Sequence, residues 1–235
     1  MSSSRDDRDD RDAMAARYAR RGAPDRYNIL RPEVWQSVQE RQRAMLGYFT
    51  RAGWTGLADK RVVEVGCGAG GNLLELLRLG GMPEHLTGIE LLPERAAHAR
   101  QVLPAALRVI EGDASLAPID AGSQHLVLQS TVFSSLLDGA TRTALAAAMW
   151  RWLAPGGAVL WYDLRVDNPR NRDVRGMPLE RVRALFPGAR IAARRVTLAP
   201  PLARWACRVH PRLHDALNLL PLLRTHLLAW VEKPR

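Results

Sequence analysis

VVEVGCGAGGNL, residues 62–73, sets three signals side by side. Val62, Val63 and Val65 form a short β-branched run, a glycine cluster follows, and a leucine-rich helical pattern begins at once. That order spells a strand, a tight turn and a helix N-terminus. Glycines suit such a turn because they reach positive φ cheaply and let a ligand approach the backbone. The free N–H groups opening the next helix offer donors to a polar or anionic group. The stretch reads as a cradle for a nucleotide-type cofactor.

Spacing alone leaves the cofactor open. Gly66, Gly68 and Gly71 satisfy G-x-G-x-x-G, which nicotinamide and other dinucleotide enzymes share and which is weak by itself. Gly66, Gly68 and Gly70 also give E-x-G-x-G-x-G with Glu64, which stands where a dinucleotide-binding strand is usually apolar. Glu90 ends the next strand-like run, 86–90, placed to accept hydrogen bonds from ribose hydroxyls. Asp113 follows another such run, 107–111, in EGDA. Jointly these residues resemble the class I S-adenosylmethionine-dependent methyltransferases of the type 11-like kind. The resemblance covers residues 62–163 strongly and the flanks in outline.

The resemblance implies a role for each position. Glu64 orients the cofactor's methionine ammonium through the glycine loop. Gly66, Cys67, Gly68 and Gly70 form the floor beneath methionine and ribose. Glu90 takes the ribose hydroxyls and Leu91 packs near the adenine. Asp113 meets the adenine amino group, and the Ala114 backbone meets a ring nitrogen. Gln129 and Ser130, ending the fourth strand, line the methionine side and the acceptor mouth. Tyr18, Tyr27 or Trp35 of the N-terminal region would cap the methionine end or the acceptor.

Two cysteines, Cys67 and Cys207, make neither a disulfide framework nor a metal site, and no His/Cys/Asp cluster has ligand spacing. The start, MSSSRDD, has no apolar segment behind it, and the apolar region 217–231 is broken by Asn218, Pro221, Arg224 and His226. The cytoplasm is the expected compartment. The net charge of +10 is uneven: residues 1–164 balance 19 basic against 19 acidic, whereas residues 165–235 carry 15 against 5. Such asymmetry points to an anionic partner.

Outward from the cradle, strand and helix patterns alternate, implying right-handed crossovers and a parallel sheet covered on both faces. The expected fold is a Rossmann-like, doubly wound α/β sheet of about seven strands. By the resemblance, its last strand is antiparallel. Residues 1–31 read as a disordered or loosely ordered arm, because arginine and aspartate alternate there without apolar period. Residues 32–235 read as the domain: a helix at 32–52, a cofactor-binding core at 53–164, and a basic acceptor-side and closing segment at 165–235. Within that segment, 204–220 reads as a proline-interrupted amphipathic insert. It is expected to act as a lid, its apolar face on the sheet, or else to lie on anionic lipid.

Methyl transfer from a sulfonium needs mainly alignment and exclusion of water. No clean general base stands out. The histidine that the family often has after the fourth strand is replaced here by Ser134 and Ser135, leaving Asp163 as a weak catalytic candidate. Phe133, Asp163, Arg165, Arg170, Arg172 and Arg175, with Tyr27, are the candidate acceptor residues, since paired arginine hydrogen bonds suit phosphate or carboxylate. The expected acceptor is small or glycan-type and anionic. RNA methylation ranks lower, because no RNA-binding appendage is evident. A non-catalytic cofactor-fold scaffold at a membrane surface is the remaining alternative.

Overall fold

A computed structural model of the chain describes residues 28–168 and 171–235. The expectations for residues 1–27, including Tyr18 and Tyr27, and for Arg170 lie outside the described residues. Helix α1 spans Pro32–Arg51, with Pro32 in its first turn where a missing N–H costs nothing. Then come β1 (Val62–Val65), α2 (Gly71–Arg78), β2 (Leu86–Glu90), α3 (Pro93–Val102), β3 (Arg108–Glu111) and β4 (Gln124–Ser130). The chain continues with α4 (Gly139–Trp152), β5 (Leu153–Leu164), α5 (Leu179–Leu185) and β6 (Arg190–Leu198). It closes with α6 (Pro200–Val209), α7 (Pro211–Asn218) and β7 (Arg224–Glu232).

The sheet has seven strands in the order β3-β2-β1-β4-β5-β7-β6. β1 to β5 pair in parallel, while β7 runs antiparallel between β5 and β6. Side chains alternate across it, as the pleat requires. Val62, Leu126, Leu128 and Leu160 meet Met45 and Phe49 of α1 and Leu73 and Leu76 of α2. Val63, Val127, Val159 and Trp161 face the opposite way, toward Met149 and Trp152 of α4 and Val182 of α5. Each such large apolar side chain contributes about 1.5–3 kcal/mol when fully buried. Tyr48 of α1 fastens that helix to the sheet, its hydroxyl donating to the Leu228 carbonyl at 3.2 Å.

α4 begins at Gly139. The carboxylate of Asp138 caps it, accepting from the Thr141 N–H at 2.6 Å. The 204–220 insert departs from expectation. His210, at φ −165° and ψ 135°, is extended and splits the segment into α6 and α7. Small side chains, Ala203 and Ala206, make the packed face of α6, and His214 that of α7. Trp205 (54%), Val209 (62%), Leu219 (76%) and Leu220 (53%) face solvent, as does Leu222 (83%) just beyond the insert. The lid packed by its large apolar face is therefore not what forms, because a one-residue break destroys the shared helical phase.

Candidate active site

At the carboxyl edge of β1 to β3 the acids and the glycine turn meet. The Gly68 N–H donates to Glu90 Oε2 at 2.8 Å, and the Leu92 N–H donates to Glu90 Oε1 at 3.0 Å. One buried carboxylate thus ties the loop after β1 to the loop after β2. The Gly112 N–H donates to the Glu90 carbonyl at 2.9 Å, which sets Asp113 beside the same edge. Asp113 caps a short turn at 114–116, accepting from the Ser115 N–H at 2.8 Å. Leu91 and Ala114 are half-buried on these loops.

The glycine turn is as tight as its composition demands. Gly66 lies at φ +65°, and a Cβ there would stand 2.6 Å from Val132 Cγ2. Gly68 lies at φ +57° with the Arg95 guanidinium against it. Cys67 packs into the space left by Gly88, and burial together with Glu64 and Glu90 raises its thiol above the usual range. A buried thiol held protonated in this way packs and is no nucleophile.

Glu64 is 1% exposed. Its Oε1 accepts from Asn72 Nδ2 at 2.6 Å, while its Oε2 is buried without a hydrogen-bond partner. Burial, only partly offset by Asn72, pushes its carboxyl up to about 8. Asn72 in turn accepts from Arg41 Nη2 at 3.0 Å, and Arg41 Nη1 reaches Ser130 Oγ at 3.5 Å. The Arg41 guanidinium lies 5.1 Å from the centre of the Tyr162 ring. His226 stacks on that ring at 4.9 Å, and burial with the nearby Arg41 pulls the imidazole down to about 4. The Tyr162 hydroxyl shares a 2.9 Å hydrogen bond with Thr197 Oγ1. Arg41, Asn72 and Tyr162 were not among the residues singled out from the sequence. Asn72 stood within the quoted stretch, and Arg41 on the helix expected over the cofactor.

Residues 62–157 match the family model of the methyltransferase domain. That stretch is the part of the chain similar to a methyltransferase domain, and the seven-strand order is the fold of S-adenosylmethionine-dependent methyltransferases. No curated protein matches it by sequence. In structure the chain is similar to a SAM-dependent methyltransferase from Archaeoglobus fulgidus, at 16% identity and a TM-score of 0.61 over 83% of this chain and 93% of that one. It is also similar to phosphoethanolamine N-methyltransferase 2 of Haemonchus contortus, solved with S-adenosyl-L-methionine (17%, TM-score 0.61, 82% of this chain and 53% of that one). A third is geranyl diphosphate C-methyltransferase from Streptomyces coelicolor (15%, TM-score 0.57, 82% and 77%). At these identities the likeness is one of fold.

The structure places several expected residues away from the cleft. Gln129 is fully buried on the face opposite Glu64, its Oε1 accepting from the Val132 N–H at 3.1 Å. It braces the turn after β4 and does not line the methionine side. Phe133 is also fully buried, 4.5 Å from Trp161 between ring centres, and belongs to the core. Asp163 shares that face. Its oxygens accept from the Ser134 N–H at 3.1 Å and the Leu164 N–H at 2.9 Å, and it is 0% exposed. Burial pushes its carboxyl up to about 6, but the enclosed group presents no oxygen to an acceptor, so it is an anchor for two loops. Arg165 folds back on the Arg224 carbonyl at 3.4 Å. Arg172 and Arg175 remain exposed on the loop after β5, whose backbone is pinned by the Arg175 N–H to the Ser134 carbonyl at 2.8 Å. Trp35 is half-exposed beside Ile29, Leu30 and Pro211, apart from the acids. Thr131, a β-branched residue at φ +59°, holds a strained turn at the exit of β4.

Proposed function

We propose that the chain transfers the methyl group of S-adenosylmethionine to a small or glycan-type acceptor carrying negative charge. The residues present fit that cofactor. An unpartnered, deeply buried Glu64 oxygen awaits a donor, and Gly66 and Gly68 leave no room for side chains over the floor. S-adenosylmethionine supplies an activated sulfonium methyl, so the chain's task is to bind, align and exclude water. Glu64 holds the ammonium, aided by Asn72, and Arg41 with Ser130 holds the methionine carboxylate. Gly66, Cys67, Gly68 and Gly70 form the floor. Glu90 holds the ribose hydroxyls, with Leu91 against the adenine and Asp113 and Ala114 at its polar edge. The observation that carries this reading is the joining of Glu64, Asn72, Arg41 and Ser130 in one hydrogen-bonded chain at the edge of β1 and β4.

The anionic acceptor is supported by the excess of arginine after residue 164 and by the exposed Arg172 and Arg175 on the loop after β5. Two structural neighbours are named for phosphorylated acceptors, phosphoethanolamine and geranyl diphosphate. Labelled methyl transfer to extract fractions, with total RNA included, tests the reading. Replacing Arg170, Arg172 and Arg175 by glutamine is expected to raise the acceptor KM about tenfold while the cofactor Kd holds. Equal effects on both constants, or label found in RNA, would overturn the acceptor class.

A second reading concerns where the enzyme works. Trp205, Val209, Leu219 and Leu220 face solvent on an insert that also carries Arg204, Arg208 and Arg212, with Leu222 just beyond it. Apolar anchors flanked by arginines suit the surface of an anionic bilayer. Flotation with vesicles containing phosphatidylglycerol, and not with neutral vesicles, is the expected result, lost on Trp205→Ser with Leu222→Ser. Concentration-dependent dimerisation without vesicle binding would sink it. Among the described residues no helix is long and apolar enough to cross a membrane.

A further inference from the structure

Beneath the turn that follows β4, three arginines from three segments are held together. Arg142 of α4 is 8% exposed. Its Nε donates to the Phe133 carbonyl at 3.3 Å, and its Nη2 is buried with no hydrogen-bond partner. Arg175 is fixed one residue further along, through its N–H on the Ser134 carbonyl at 2.8 Å. Arg181 of α5 donates from Nη1 to the carbonyl of Gly176, the residue after Arg175, at 2.6 Å. The side chains of Arg175 and Arg181 are otherwise exposed.

The acids nearby are already engaged with backbone N–H groups. Asp163 accepts from Ser134 and Leu164, Asp167 from Gly176 at 2.7 Å, and Asp138 from Thr141 at the start of α4. Among the described residues, none of the three guanidinium groups lies within 4.0 Å of a carboxylate. Burial and the neighbouring Arg181 and Arg175 hold Arg142 below the usual arginine range. A buried donor left unmet is costly, and gathered like charges add to the cost unless an anion joins them.

We propose that Arg142, Arg175 and Arg181 form a binding site for a phosphoryl group carried by the methyl acceptor. Arg142 forms the floor of the site and the two exposed arginines close over it. Donors arriving from three segments suit a tetrahedral oxyanion better than a planar carboxylate, and a dianion balances more of the gathered charge. The site lies at the turn beginning three residues after Ser130, so a bound acceptor can extend from it toward the cofactor cleft. This assignment deepens the anionic-acceptor reading and rests on it in making the phosphoryl group part of the acceptor.

Inorganic phosphate is the probe, titrated into the full chain and followed by calorimetry, with acetate as the carboxylate comparison and S-adenosylmethionine affinity measured on the same samples. Phosphate is expected to saturate the protein and acetate to bind more weakly. Arg175→Gln and Arg181→Gln are each expected to weaken phosphate about tenfold. Arg183→Gln, which removes the same charge from α5, is expected to leave phosphate binding as it was. Arg142→Lys keeps the charge but not the second N–H arm and is expected to weaken phosphate too; should it unfold, the exposed pair decides. Unchanged phosphate binding in Arg175→Gln and Arg181→Gln, equal loss in Arg183→Gln, or no phosphate binding at all overturns the site. Any of these with intact cofactor affinity leaves methyl transfer standing, whereas loss of S-adenosylmethionine binding by the unaltered chain fails the methyltransferase reading instead.

Discussion

Along the carboxyl edge of β1 to β3 acidic side chains are bonded to backbone N–H groups of the loops: Glu90 to Gly68 and Leu92, Asp113 to Ser115, with Asn72 on Glu64 inside the same unit. Between Arg165 and Arg224 most charged groups sit on exposed loops and helices, and backbone bonds carry much of the order. There the Arg175 N–H holds Ser134 and the Met177 N–H holds Leu164 at 2.6 Å. The first region, residues 62–113, carries seven acidic against four basic residues; the second holds the excess positive charge. The contrast suits the proposed reading, one cofactor bound in one pose and an anionic acceptor admitted at a cationic rim. A fixed ligand rewards preorganised groups, whereas an approaching anion rewards long-range charge.

Breaking the first region should have the largest consequence. Gly66→Val forces a β-branched residue into positive φ and against Val132, and is expected to abolish cofactor binding, a loss beyond about 3 kcal/mol by calorimetry. Arg41→Ala comes next. It removes the link from α1 to Asn72 and Ser130, and the cofactor Kd should rise about ten- to hundredfold while the acceptor KM moves less. Reversal of that order between the two constants would place Arg41 on the acceptor side.

A pH series sharpens the contrast within the sheet. Glu64 keeps its proton in the folded chain up to about pH 8, whereas the unfolded chain loses it near 4.5. The folded state therefore binds more protons across that window, and stability falls as pH rises through it. Asp163 acts with the same sign from 3.8 to about 6. Glu64→Gln should flatten the decline between pH 6 and 8, where Glu64 acts alone, and leave only the Asp163 share of the slope below 6, read from urea midpoints. An unchanged slope above pH 6 would mean that Glu64 is ionised before the cofactor arrives. The smallest expected effect is that of Asp163→Asn: about 1–2 kcal/mol less stability and a kcat within about threefold. A fall of a hundredfold or more in kcat would restore it as a base.

Much of the cofactor edge was legible because its parts are local. A glycine bend, an acid ending β2 and an acid after β3 fall within 52 residues, and parallel strands bring their exits to one edge. Arg41 was not legible, since its partners Asn72 and Ser130 lie 31 and 89 residues away and α1 was read for its apolar face alone. Asp163 and Gln129 were misplaced for a simpler reason: strand period decides which face a residue joins, and both fall on the Trp161 face opposite Glu64. The insert defeated a helical reading because one extended residue, His210, reset the phase between Val209 and Leu213.

β7 enters the sheet between two strands that are both made before it. During synthesis β5 must therefore wait with an open flank while β6 and the insert emerge, and β6 has no partner until the hairpin-like return of β7 reaches it. The carboxyl edge of β1 to β4 needs none of this, so a nascent chain can assemble that edge before β6 and β7 are in place. Premature termination ahead of Arg224 would then yield a sticky, half-built particle whose unpaired β5 seeks a neighbour's strand.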